Sequence, residues 1–196
     1  MKMLSLDIGC GNQKVPGAIG IDKFKTQVVD VVCDLEKCPF LPFKDDIFDE
    51  IHAYHVLEHL EDTVKIMEEI WRVCKPKGKV FIRVPHYSGR KAWIDPTHKK
   101  SFSVFSFDYF GENENFRYYS SARFRVLKRR LKILMSYPNP KWYSKYIRPT
   151  NLPLTVKAIV YIIQLIVDRL PLSLCERLAF LVGGFDEVEI ELEAIK

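Results

Sequence analysis

The sequence predicts an α/β fold around a mostly parallel sheet, and three observations carry that expectation. Five short apolar runs occupy the first 85 residues, each closing on or beside a glycine, an acid or a histidine. A single long segment with helical apolar spacing separates the fourth run from the fifth. Near the C-terminus, glutamates alternate with Val188, Ile190 and Leu192, the period of a strand with one wet face. Strands interleaved with helices or loops build parallel sheets.

The elements follow in order. Residues 4–8 form the first strand and run into the turn Gly9-Cys10-Gly11. Residues 18–22 form the second and end at Asp22. Residues 28–33 form the third and lead to Asp34. Residues 47–53 form the fourth and lead to Tyr54 and His55, and residues 80–84 form the fifth. The helix is expected over residues 62–74, with Asp62 as N-cap and Lys75-Pro76-Lys77-Gly78 as its stop. Only a turn or two of helix fits between Gly11 and Ala18, so the crossovers on that side are truncated. Phe102, Phe105, Phe107, Tyr109 and Phe110 predict a short helix packed on the core, and residues 124–134 a basic strand. Pro138, Pro140, Pro149 and Pro153 mark a long connection. Residues 154–182 read as two apolar helices broken near Pro171, with an apolar core too short to cross a bilayer. Residues 185–195 close the fold. The whole chain, 1–196, is expected to be one domain, with residues 1–85 as a cofactor-binding half and 86–196 as an acceptor-side half.

Length and composition agree with one packed domain: 196 residues, 47% hydrophobic. The five cysteines, Cys10, Cys33, Cys38, Cys74 and Cys175, have no framework spacing and read as reduced thiols of a cytoplasmic protein. Cys33 and Cys38 lack a second Cys/His pair, so no metal site is expected. The net charge of +5 is unevenly spread, because no acid occurs between Asn115 and Val167 while Arg123, Arg125, Lys128, Arg129, Arg130 and Lys132 all do. That tract is a solvated basic face or a surface that attracts an anionic partner.

Ligands of open α/β sheets sit outside the carboxyl ends of the strands. The groups collected there suit a nucleoside. Gly9 and Gly11 let backbone approach a ligand closely, with Cys10 between them. Asp22 offers a carboxylate to both ribose hydroxyls, Asp34 to an adenine amino group with Leu35 beside the ring, and Asp7 to a cationic amino group. A dinucleotide site would place a third glycine at Lys14 and its ribose acid about 20 residues beyond the turn. Asp22 follows Gly11 by 11 residues, so no pyrophosphate cradle is expected.

These residues carry a resemblance. Leu6-Asp7-Ile8-Gly9-Cys10-Gly11 resembles the first motif of class I S-adenosylmethionine-dependent methyltransferases, and Gly20-Ile21-Asp22 is similar to the second. Cys33-Asp34-Leu35, Leu41-Pro42-Phe43 and Phe48-Asp49 are similar to the third and to the approach to the fourth strand. His55-Val56-Leu57-Glu58-His59 resembles the H-x-L-E-H after that strand, and Arg72-Val73-Cys74-Lys75-Pro76-Lys77-Gly78 the family's helix-to-strand turn. Asp95-Pro96-Thr97-His98-Lys99 resembles a segment of some members. The family usually has a third glycine where Gln13 stands. The resemblance implies a Rossmann-like, seven-stranded sheet with an antiparallel last pair. It also implies S-adenosyl-L-methionine as cofactor and methyl transfer as activity.

In-line methyl transfer rests mostly on proximity and orientation. His55 is the candidate base, should the acceptor have to lose a proton; alternatively it is bonded within the site wall and orients cofactor. His86, Asp95 and His98 in the insertion, with Arg129 and Arg130 on the basic strand, are acceptor-side candidates. The acceptor is expected to be a small or lipid-linked molecule, the latter because the apolar helices suit a greasy lid or peripheral membrane contact. RNA methylation, prompted by the basic tract, and a non-catalytic cofactor-binding module with a homodimer or partner surface are the alternatives.

Overall fold

The computed structural model describes residues 3–38, 40–133, 154–182 and 184–196. Its seven strands are β1 (Ser5–Ile8), β2 (Ile19–Asp22), β3 (Val31–Val32), β4 (Phe48–Tyr54), β5 (Cys74–Pro85), β6 (Phe124–Lys132) and β7 (Glu187–Ala194). They form one sheet in the order β3-β2-β1-β4-β5-β7-β6. The first five are mutually parallel, and β7 runs antiparallel between β5 and β6. The expected α/β class and antiparallel closing pair are therefore present. Helix α1 (Thr63–Val73) has Asp62 as its N-cap, whose carboxylate accepts the Lys65 N–H at 2.9 Å. One short helix, α2 (Lys91–Ile94), lies in the insertion, and α3 (Leu154–Val167) and α4 (Leu172–Leu178) precede β7. The prolines of the long connection, Pro138 to Pro153, lie outside the described residues.

Several boundaries differ from expectation for local reasons. β3 is only two residues long: the Asp30 N–H bonds to the Gly20 carbonyl at 2.9 Å, but the Gly20 N–H goes to the Asp30 carboxylate at 2.7 Å, which also accepts the Lys14 ammonium at 2.5 Å. β5 starts at Cys74 rather than Val80, since the chain pairs Cys74 with Phe48, bulges through Lys77 at φ 63°, and rejoins β4 at Lys79. The aromatic segment forms a 3-10 turn, Ser106–Phe110, that buries Phe107 and Phe110.

Crossover truncation goes further than expected. No helix interrupts the described residues between β1 and β4. Ten residues separate β1 from β2, and Asp7 takes the Val15 N–H at 2.7 Å within them. The result is a sheet with two unlike faces. One presents Leu6, Ile8, Ile51, Val80, Ile82, Ile190 and Leu192, all buried in a single core with Met67 and Ile70 of α1. The other presents Glu50, Tyr54, Lys79 and Arg83, where Arg83 lies 4.4 Å over the Tyr54 ring and His52 stacks on Phe81 at 5.1 Å. Across β5, β7 and β6 that face is laced by Lys79–Glu191, Arg83–Glu189 and Arg125–Glu193 pairs at 3.2, 3.3 and 3.2 Å.

Glu176 of α4 fixes that helix to the end of β5. One oxygen, Oε1, accepts from Ser103 Oγ at 2.7 Å and the Val104 N–H at 2.7 Å, and lies 3.1 Å from His86 Nε2. Removing it leaves buried donors unsatisfied, each worth about 1–3 kcal/mol. Glu176→Ala is expected to lower unfolding free energy by about 3 kcal/mol, and Glu176→Gln by less. Urea midpoints would show this, and an unchanged midpoint for the alanine variant would refute the anchoring role.

Candidate functional site

The turn after β1 is held from two sides. Gly9 and Gly11 adopt φ values of 68° and 52°, the left-handed region that glycine enters without strain. The Gly9 N–H reaches the carbonyl of Ile21 at 2.8 Å, and the Gly11 N–H reaches Asp22 Oδ2 at 2.9 Å. The other Asp22 oxygen accepts the Phe24 N–H at 2.9 Å. Asp7 is buried beneath the turn, and burial pushes its carboxyl up to about 6 even though the Val15 N–H and the Lys14 ammonium favour its charge. Cys10 is buried, and desolvation beside Asp7 raises its thiol to about 11, so it is an inert wall residue.

Asp34 follows β3 one strand further out. Its carboxylate accepts the Glu36 N–H at 3.1 Å with the Lys37 ammonium at 3.4 Å, and these hold it below the usual carboxylate range. The Cys33 N–H bonds to the Asp22 carbonyl at 3.0 Å, so the two acids are anchored to adjacent strands. Leu35 packs against the core and lines a cavity of about 440 Å³ with Leu41, Leu60 and Ile66. That cavity sits beside the glycine turn's end of the sheet rather than over it: Gly9, Gly11 and Asp22 are not in its wall.

His55, at the β4 exit with φ 53°, is clamped. Its Nε2 lies 2.7 Å from Glu187 and its Nδ1 3.2 Å from Glu58, both carboxylates fully buried. Burial opposes its cation, but the two carboxylates win and raise the imidazole to about 9. Neither nitrogen is left to take up another proton.

The insertion candidates separate into two groups. His86 is fully buried between Ser88 Oγ at 2.7 Å and Glu176, and burial lowers its basicity. Asp95 accepts the Thr97 N–H at 2.8 Å, and His98 stands edge-on to His59 with ring centroids 4.7 Å apart. These last join the β4 exit through Glu58, whose carbonyl accepts the Lys99 N–H at 2.8 Å. Arg129 and Arg130 are not part of this gathering. Arg129 forks onto Asp108, and Arg130 binds both oxygens of Asp168 at 3.0 and 2.6 Å, which ties β6 to its flanking segments. Glu187 and Glu176 had no signal in the sequence. Glu187 opens a run of glutamates that reads as a wet face, and Glu176 sits in an apolar helix.

Comparison with known proteins agrees with this architecture. The model of a family described as methyltransferase domain matches residues 6–82. A sterol 4-C-methyltransferase of Caenorhabditis elegans is 32% identical over 98 residues, covering 39% of this chain and 29% of the relative. A demethylmenaquinone methyltransferase of Streptomyces avermitilis is 45% identical over 42 residues, 21% of this chain and 18% of the relative. The chain thus spans less than a third of these curated relatives. The crystal structure of a SAM dependent methyltransferase from Archaeoglobus fulgidus superposes with a TM-score of 0.55 at 17% identity, covering 97% of this chain and 86% of that one.

The two glycines of the turn answer to different constraints. A Cβ on Gly9 would lie 2.5 Å from Val56 Cγ2, whereas one on Gly11 meets nothing within 4 Å. The residue before Cys10 is thus fixed by the protein's own packing, and the one after it borders open space. Gly11→Ala is expected to cost about 1–2 kcal/mol of stability for its left-handed backbone, and Gly9→Ala clearly more. Thermal denaturation of both variants would check the order; equal losses would show that Val56 yields freely.

Proposed function

We propose that this chain is a class I S-adenosylmethionine-dependent methyltransferase, a reading supported by the methyltransferase-domain match over residues 6–82, and that it transfers the methyl group of that cofactor to a small or lipid-linked acceptor. The observation that carries the reading is the ordered set of acids at adjacent strand ends around a glycine turn with open space before it. In this reading Asp22, already holding the turn, accepts the ribose hydroxyls. Asp34 and Leu35 meet the adenine, and Asp7 faces the cationic amino group. Gly11 leaves room where a side chain would intrude. S-adenosylmethionine, when bound, supplies an electrophilic methyl on a sulfonium. The chain's own residues then bind and orient. With both nitrogens on carboxylates, His55 is a positioning residue of the wall rather than the base. Residues 86–196 form the acceptor side.

The lipid-linked version of the acceptor draws on two observations. The relatives above are named for a sterol and a demethylmenaquinone. Helices α3 and α4 and the turn after them expose Ile159, Ile162, Ile166, Phe180 and Leu181, an apolar area beyond scattered surface residues. No helix among the described residues is long and apolar enough to cross a membrane. An RNA acceptor is less well supported, because Arg125, Arg129, Arg130 and Lys132 of the basic strand are already paired with acids.

Calorimetry is expected to show binding of S-adenosylmethionine and its demethylated product, and none of NAD. Radiolabelled methyl from the cofactor is then expected to appear in an organic-solvent extract of an acceptor pool. Binding of NAD without S-adenosylmethionine would overturn the cofactor assignment; label confined to RNA would overturn the acceptor class.

Asp7 gives the reading a pH signature. Its carboxyl titrates near 6 when folded against 3.8 for the free group. The folded state therefore favours the protonated acid. That contribution is complete below 3.8 and is lost as pH rises through 6, about 3 kcal/mol in all. A cationic amino group selects the ionised form, so cofactor affinity is expected to rise between pH 5 and 7. Asp7→Asn should remove both trends and bind the cofactor weakly throughout. A pH-independent affinity in the unaltered protein would exclude Asp7 from that contact.

A further inference from the structure

We propose that the junction between the β4 exit and the loop at residues 95–99 is a divalent transition-metal site, with Glu58, His59 and His98 as its protein ligands. One donor atom from each of the three lies within 4.8 Å of the others. The cysteine spacing that argued against a metal does not bear on it, since no cysteine takes part.

The hydrogen bonds around the two histidines decide which nitrogens are free. His98 Nδ1 lies 3.2 Å from the Ala92 carbonyl, which only accepts, so this nitrogen carries the proton. His59 Nδ1 lies 2.9 Å from Thr97 Oγ1. The Thr97 hydroxyl has its own acceptor in Asp95 Oδ1 at 2.7 Å, so it receives a proton from His59 rather than giving one. Both imidazoles therefore keep a lone pair on Nε2. A ligating histidine is commonly held in this way, its other N–H spent on a carbonyl or on a relay to a carboxylate.

The third ligand is the independent observation. Glu58 is fully buried; one oxygen meets His55, and among the described residues Oε2 has no hydrogen-bond partner. A buried carboxylate oxygen without a partner is costly. The two histidines each bring a nitrogen within 4.8 Å of a Glu58 carboxylate oxygen, and a cation would satisfy all three. Two imidazoles and one carboxylate suit zinc, cobalt, nickel or iron(II) better than magnesium or calcium, which take mostly oxygen. Three protein ligands leave at least one position open for water or for an oxygen of an acceptor. Its ligands include neither Asp22, Asp34 nor the glycines of the turn, although Glu58 also holds His55, so metal binding and cofactor binding are measured side by side.

The test uses the whole chain, stripped with a chelator and titrated with Co²⁺ by calorimetry and visible absorption. One equivalent is expected, with the d–d bands of a low-coordinate ion. His59→Asn and His98→Asn should each weaken binding roughly tenfold or more, and Thr97→Val, which touches no metal, by about 10–100-fold. His52→Asn, on the polar face of β4, should leave it unchanged. Circular dichroism reports folding, and S-adenosylmethionine binding measured on the same samples keeps the two sites apart. If the histidine variants do not fold, Thr97→Val decides. Absence of saturable Co²⁺ binding, or equal binding by the unaltered protein and a folded Thr97→Val, overturns the proposal.

Discussion

Burying carboxylates at the open rim of a sheet is the constraint around which this molecule is arranged. Asp7, Glu58 and Glu187 all lose their water there, and an ionised carboxylate without compensation is driven to neutralise. They are answered in two ways. Asp7 has a backbone N–H and a nearby ammonium, and it still shifts towards neutrality. Glu58 and Glu187 share one imidazole, which obliges His55 into a left-handed backbone that histidine seldom adopts. Bringing Glu187 that close requires the strands beside it to touch. A Cβ on Gly89 would lie 2.1 Å from the Phe185 carbonyl, and one on Gly184 2.2 Å from that of Ser88. Backbone thus packs directly on backbone where β5 ends and β7 begins.

The strands and their acids were legible in the sequence because each couples a short apolar run to a polar stop within a few residues. Asp22 and Asp34 could be placed on that basis, and the structure sets Asp22 at the end of β2 and Asp34 just beyond the neighbouring β3. What was not legible depended on contacts far apart in the chain. Glu187 meets His55 across 132 positions, and Glu176 meets His86 across 90. In the sequence Glu187 belongs to an alternating run in which every glutamate faces water, and only the tertiary pairing makes it an exception. Arg129 and Arg130 illustrate the opposite error: a basic tract without nearby acids suggests free charge, but Asp108 and Asp168 arrive from elsewhere to pair with them. The length of β3 was misjudged because Asp30 works through its side chain, which strand periodicity does not register.

The two halves of the chain use the sheet differently. After β1 and β2 the strand ends carry short, polar loops without helix, and side chains there bond to backbone N–H groups of the loops. After β5, the helix α3 returns to the sheet edge through Gln164 on the Leu131 carbonyl at 2.9 Å, and the residue after β7 is tied back to α1 by Trp71 on the Ile195 carbonyl at 2.8 Å.

The unlike faces of the sheet also bear on how the chain finds its pairing. Parallel strands ordinarily lie between two layers of helices, where both sets of side chains are apolar and a shift of one residue exchanges like for like. Here the same shift in β7 would turn Val188, Ile190 and Leu192 to water and drive Glu189, Glu191 and Glu193 into the core. Side-chain direction reverses with every single-residue step, so each misaligned pairing is rejected along its whole length at once. Among the described residues the charged face of the sheet therefore acts as a proofreading device, in which alignment is enforced by solvent.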